Sequence, residues 1–307
     1  MTSPLTRRSI LASAAALPLA AGHGSPLRAA APMLGAGLAP YRRVTLGDFE
    51  VTTLLAGSRT VPDPHTIFGL NVEEAEFAEV SQSANIPTDA ARFYFTPTVV
   101  NTGAQLVLFD TGLNAEGTVA ALNAAGYEAD QVDLVVITHM HGDHIGGLMT
   151  DAGDPTFANA SYATGAQEYD AWAEMGNEGF DAKMRPLAEQ TKMLAPGEDA
   201  APGITAAAAF GHTPGHMSYT LDSGGKSLVI GADFANHYVW SLAHPDWEVK
   251  FDMDKAEAAK SRRALLDRLA ADRTPFIGYH MPFPALGYVE TRGDGYAYAP
   301  ESYQLSL

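Results

Sequence analysis

The chain has 307 residues, 46% of them apolar and 18% charged, which suffices to bury one large core. Its formal net charge of −17 includes no Lys/Arg cluster beyond the first thirty residues, which excludes the basic stripe of a nucleic-acid-binding protein. It has no cysteine, so disulfides, thiolate ligands and thiol nucleophiles are excluded, and any metal must be held by histidine and carboxylate.

Residues 1–31 read as a twin-arginine-type signal segment. Thr6-Arg7-Arg8-Ser9-Ile10-Leu11 precedes an Ala/Leu-rich stretch from Ala12 to Ala21, and Ala29, Ala30 and Ala31 offer a cleavage site. The expectation is a periplasmic or secreted protein whose single domain occupies residues 41–307. Outside the leader no apolar run reaches the ~18 residues of a membrane span, so no membrane anchor is expected.

From Tyr41 the chain reads as short strands alternating with helices. Val44 to Gly57 suggests an opening hairpin around Gly47-Asp48. Pro62 to Pro97 lacks a clean period and reads as a loop insertion with a short helix near Glu73 to Val80. Thr98 to Val100 and Gln105 to Asp110 are strands joined across Asn101-Thr102-Gly103. Glu116 to Ala125 is helical and stops at Gly126. Val132 to Thr138 is a continuous apolar run, as in a strand buried on both faces. A helix starts near Asp143, and Ser161 to Thr164 is a strand leading into a helix over Gly165 to Ala173. Ile204 to Phe210, Met217 to Leu221 and Ser227 to Gly231 are strands. Asp254 caps the longest helix, which runs to Arg273 with Leu265, Leu266 and Leu269 on one face. Phe276 to Tyr279 reads as the last buried strand. Two apolar strands, Leu106–Phe109 and Ser227–Ala232, each deliver an aspartate, Asp110 and Asp233, at the C-terminal end; two such halves would gather their polar ends in one cleft.

The chemistry is concentrated in His139-Met140-His141-Gly142-Asp143-His144, directly after the buried run. On a strand-to-loop turn His139 and His141 can face one metal while Asp143 and His144 reach a second. Imidazole and carboxylate are the ligands that zinc takes when thiolate is missing.

This signature resembles that of the metallo-β-lactamase-fold hydrolases, with Gly211-His212-Thr213-Pro214-Gly215-His216, Asp233 and His280 following in order. Asn101-Thr102-Gly103 and His280-Met281-Pro282-Phe283-Pro284 resemble the methyl parathion hydrolase branch. The resemblance implies an α/β fold, a four-layer αβ/βα sandwich, with two zinc ions at one edge of its sheets. It places His139, His141 and His216 on one metal, Asp143, His144 and His280 on the other, and Asp233 between them, with Asp143 or Asp233 as the catalytic proton carrier. Asp110 and His212 are expected to orient ligand imidazoles. The partner implied is a small-molecule substrate, and the family implies a homodimer.

Two zinc ions sharing a hydroxide supply a nucleophile near neutral pH, so the expected reaction is hydrolysis of a carboxylic ester or lactone, with phosphotriester hydrolysis the alternative. A catalytically idle metal-binding protein is the reading from another class. Trp172 and Phe180 are the candidate aromatic walls of the substrate pocket. Asn114 and Glu116 are expected to make its other side polar, favouring esters and lactones with polar substituents. Three other histidines, His65, His237 and His244, are expected at the surface or the pocket rim.

Overall fold

A computed structural model describes residues 36–303; the expected signal segment lies outside the described residues. Residues 38 onward fall in one compact unit. The opening hairpin pairs β1 (Tyr41–Leu46) with β2 (Phe49–Leu54), with Leu46 opposite Phe49. Gly47 turns it at φ +57°, where a Cβ would lie 2.2 Å from the Ser223 carbonyl oxygen, so glycine is required twice over.

A second hairpin, β3 (Gly57–Pro62) and β4 (Ala90–Phe95), brackets helix α1 (Glu74–Ser83). This corrects the loop reading of Pro62 to Pro97. Pro62 sits at the strand's end, and the alternation of Ala91, Phe93 and Phe95 is the period-2 signal of the half-buried partner.

The first large sheet continues with β5 (Thr98–Asn101), β6 (Leu106–Phe109), β7 (Leu134–Ile137), β8 (Ser161–Gly165) and β9 (Thr191–Leu194), in the order β1-β2-β5-β6-β7-β8-β9. From β6 to β9 the strands run parallel, so each crossover must travel along a face of the sheet. Helices α2 (Ala115–Ala124), α3 (Gly142–Ile145), α4 (Ala166–Met175) and α5 (Glu178–Lys183) are made from those crossovers.

The second sheet holds β10 (Asp199–Ala201), β11 (Ile204–Ala208), β12 (Met217–Ser223), β13 (Lys226–Ala232), β14 (Phe276–Gly278), β15 (Leu286–Arg292) and β16 (Gly295–Pro300), in chain order. Helix α6 (Lys255–Asp272) is the crossover between the parallel pair β13 and β14, and its N-cap Asp254 accepts from the Glu257 N–H. The sheet does not end at Phe276 to Tyr279 as expected; a C-terminal hairpin extends it.

Strand alternation separates the layers. On β6 and β7, Val107, Phe109 and Val136 join the core between the sheets with Ile204, Tyr219 and Leu221. Leu106, Leu108, Val135 and Ile137 face the helices and pack with Leu122, Trp172 and Phe180. Leu265, Leu266 and Leu269 of α6 complete the four-layer sandwich on the other side. Burial of each such side chain contributes about 1.5–3 kcal/mol. Both faces of β7 are therefore dry, which fixes the strand that launches His139.

Candidate metal centre

The chemistry gathers beyond the carboxyl ends of β6, β7, β13 and β14, where open parallel strands leave a crevice. The chain leaves β7 through Thr138 into His139 and His141, and α3 carries Asp143 and His144. His212 comes from the β11–β12 connection, Asp233 follows β13, and His280 comes shortly after β14. The echo of the two halves extends to the backbone: Asp110 has φ 59°, and Ala232, immediately before Asp233, has φ 51°. Left-handed backbone at non-glycine residues carries strain of the kind concentrated at functional sites.

Two groups of potential ligand atoms result, His139/His141/His212 and Asp143/His144/Asp233/His280. In the first, His141 Nδ1 lies 3.1 Å from His139 Nε2 and 3.0 Å from His212 Nε2. In the second, His280 Nε2 lies 3.3 Å from Asp143 and 3.1 Å from Asp233, and His144 Nε2 lies 3.4 Å from Asp233 Oδ1. Asp233 Oδ2 is also 3.4 Å from His212 Nε2, so one carboxylate touches both groups.

The far side of most of these rings is tied down. His144 Nδ1–H donates to Asp110 at 2.8 Å, His212 Nδ1–H to Asp252 at 2.8 Å, and His280 Nδ1–H to the Tyr94 carbonyl at 2.9 Å. Thr138 gives its hydroxyl proton to Asp110 and accepts from His139 Nδ1–H at 3.1 Å. With each Nδ1–H directed outward, four Nε2 atoms converge inward, ready to coordinate once free of protons. His144 Nε2 and Asp233 Oδ1 are buried without any hydrogen-bond partner. Converging lone pairs and orphaned acceptors are the arrangement that divalent cations satisfy, and the nitrogen–oxygen donor set suits zinc.

Electrostatics divides the two groups. Burial, with neighbouring His212, lowers His141 to about 3, and burial, then His144, holds His139 well below the usual range. In the other group burial opposes charge on His280, but Asp233 and Asp143 overcome it and raise the ring to about 10. Burial likewise opposes ionisation of Asp143, yet His144 and His280 lower it to about 2. Neutral imidazoles therefore face one position, and a carboxylate-rich set faces the other.

Asp110 accepts from His144 Nδ1–H and, through the Thr138 hydroxyl, reaches His139 Nδ1. His216 is a correction. Its Nδ1–H donates to the Ala209 carbonyl at 3.1 Å and its Nε2 accepts the Asp233 N–H at 3.1 Å, so both nitrogens are engaged. Burial, then His212, lowers it to about 3, in keeping with a neutral acceptor. His212, expected to orient a ligand, instead presents Nε2 to the cluster, and His216 steadies Asp233.

The pocket walls are also corrected. Trp172 and Phe180 are buried in the core on the helix side of the first sheet. Asn114 caps α2 by accepting from the Gly117 N–H. A cavity of about 360 Å³ opens over the ligand groups, walled by Val61, Phe93, Phe95, Leu113 and Phe251, with Arg59 among its lining. Arg59 stands opposite Phe93 in the β3–β4 register, and Phe93 and Phe95 meet the His280 ring edge-on at 5.4 and 5.7 Å. Leu113 and Phe251 stay 41% and 39% exposed, apolar surface that a substrate can cover. His65, His237 and His244 stack on Phe77, Trp240 and Trp247 instead of lining this rim.

Sequence reasoning missed four supports. Asp252 is held by Arg262 of α6 at 2.7 Å and passes that order to His212. Asn236 donates to Asp233 at 2.9 Å, and Tyr279 donates to the Asp143 carbonyl at 2.6 Å while lying over His144. Glu168 accepts from Met140, Thr213 and Gly215.

Fold and site define a sandwich protein whose sheet ends gather His and Asp side chains into two adjoining groups of potential metal ligands. The family model described as "Metallo-beta-lactamase superfamily" matches residues 96–280, more than half of the chain, and the protein belongs to that superfamily. It is 28% identical over 184 residues to the uncharacterized protein YobT of Bacillus subtilis (strain 168), covering 53% of this chain and 74% of that one. Among solved structures it is similar to AidC, a dizinc quorum-quenching lactonase solved with the product N-hexnoyl-L-homoserine, at TM-score 0.78 and 24% identity over 85% of this chain and 97% of that one. It is also similar to the hydrolase AbOPH of the beta lactamase superfamily, at TM-score 0.80 and 24% identity over 87% and 99%.

Proposed function

We propose that the protein is a binuclear zinc hydrolase of carboxylic esters or lactones. The observation that carries this reading is the convergence of seven ligand side chains, most of their outward ring nitrogens tied down, beneath a cavity whose lining has no serine, cysteine or lysine. With no serine, cysteine or lysine there, and with its aspartates and histidines committed to the ligand groups, water is the nucleophile. When bound, a pair of zinc ions acidifies that water and polarises the oxygen of the scissile bond.

The chain's own residues supply the rest. Asp233 spans both groups and is only 4% exposed, which suits holding and not proton traffic. Asp143 is 22% exposed at its side chain and lines the cavity, so it is the carboxylate that can pass a proton to the leaving group. Phe93, Phe95 and Val61 exclude water from the acyl side, and Arg59 offers a guanidinium to an acceptor group of the substrate. A planar ester needs only two arms in this cavity, near the lower end of the ~300–1,000 Å³ usual for ligand sites; a phosphotriester must place three. The polar loop at Asn114 and Glu116 no longer supports that preference, but the cavity's size does. On Asn101-Thr102-Gly103 and His280-Met281-Pro282-Phe283-Pro284 we assign the chain to the methyl parathion hydrolase branch, and on residues 1–31 we propose twin-arginine export.

The test is a kinetic panel of lactones, aryl esters and dialkyl aryl phosphotriesters with zinc-loaded protein. Lactones or aryl esters should exceed phosphotriesters in kcat/KM by about tenfold or more, ~1.4 kcal/mol in transition-state binding. The reverse ranking would transfer the assignment to phosphotriester hydrolysis.

A further inference from the structure

Glu168 sits in the first turn of α4, a surface helix by its sequence, yet its side chain is fully buried. No Lys or Arg forms an ion pair with it among the described residues, so its compensation must come from hydrogen-bond donors. Burying an unpaired carboxylate is costly unless donors and a nearby positive charge compensate. The donors are Met140 N–H at 2.9 Å to one oxygen, and the Thr213 hydroxyl and Gly215 N–H, both at 2.8 Å, to the other.

Those partners are not random. Met140 stands between His139 and His141, and Thr213 directly follows His212. One carboxylate therefore ties the β7–α3 connection to the β11–β12 connection at the point where their three histidines converge. The fit is close enough that a Cβ on Gly215 would lie 2.2 Å from the Glu168 backbone nitrogen.

We infer that Glu168 is a positioning residue for the three-histidine half of the centre, fixing the backbone approach of the loops that carry His139, His141 and His212, and so the affinity of that half for its metal. The inference rests on the two-metal reading above. It separates the halves: Asp143, His144, Asp233 and His280 take their order from Asp110, Tyr94, Asn236 and Tyr279, not from Glu168. Partners that orient ligands affect metal affinity by about 10–100-fold when removed.

Glu168→Gln keeps the shape of the side chain but turns an amide N–H₂ toward at least one of the donors. Zinc binding to metal-free full-length protein is followed by competition with a chelating indicator, for wild type, Glu168→Gln and Thr213→Val, with His212→Ala and His280→Ala identifying the two steps. In Glu168→Gln the step abolished by His212→Ala should weaken about 10–100-fold, and the step abolished by His280→Ala should keep its wild-type affinity. Thr213→Val, which removes one of the three donors, should weaken the same step by a smaller factor, and it decides the matter if Glu168→Gln does not fold. A purely packing role would lower thermal stability without this bias. Unchanged affinities in both steps, or equal weakening of both, overturns the inference. Wild type that binds fewer than two ions instead refutes the two-metal reading itself.

Discussion

Replacing His212 and His216 separately by alanine should give opposite outcomes. His212→Ala removes one of three ring nitrogens gathered within 3.1 Å of His141 Nδ1 or contributing to that point. Loss of a mere orienting partner costs about 10–100-fold in affinity, so loss of the ligand should exceed ~100-fold, or ~2.7 kcal/mol. His216→Ala leaves the buried Asp233 N–H without an acceptor and the Ala209 carbonyl without its donor. Those losses, with the cavity, cost about 2–5 kcal/mol of stability, a large part of the ~5–15 kcal/mol typical of a domain. The assay is metal stoichiometry after dialysis against a mild chelator, beside urea unfolding of the metal-free proteins. One ion retained in His212→Ala, and two ions in a destabilised His216→Ala, is the expected pair. Two ions in the first variant and one in the second would refute the reassignment.

Phe93→Ala should lower kcat/KM for aryl or acyl substrates by about 1.5–3 kcal/mol of lost apolar contact with metal content unchanged, whereas Trp172→Ala should cost about 3–5 kcal/mol of stability and leave substrate preference alone; kinetics and thermal melts separate the two. His237 is stacked against Trp240 and accepts the Val239 and Trp240 N–H groups, and burial lowers it to about 3. The unfolded chain therefore takes up this proton first as pH falls below 6.5, and its share of stability, at most about 1.4 kcal/mol per pH unit, is lost toward pH 3. His237→Asn should lack that share in metal-free protein, and a pH-independent difference from wild type would count against it. Lys at both Arg7 and Arg8 should hold the precursor in the cytoplasm, as immunoblots of cell fractions would show; normal processing would rule out twin-arginine export.

The first ligand segment was legible because its chemistry is local: three imidazoles and a carboxylate within six residues, launched from a strand whose two dry faces make a continuous apolar run. The choice between His212 and His216 was not. Two histidines four residues apart in one loop offer the same ligand atoms, and the choice is made by Asp252 and the Asp233 N–H, distant in sequence. Trp172 and Phe180 have the right type for a pocket wall, but α4 and α5 turn them into the core, while the actual wall comes from a hairpin hidden by Pro62 and a long excursion through α1. Glu168 shows no signal at all, since a glutamate in a first helical turn ordinarily faces solvent.

Elemental analysis of purified, zinc-incubated protein at neutral pH tests the central claim most directly. His139, His141 and His212 for one ion, and Asp143, His144, His280 and the shared Asp233 for the other, predict close to two equivalents per chain, with both occupancy and activity reduced in Asp233→Ala. One equivalent or none in the wild type would contradict the account.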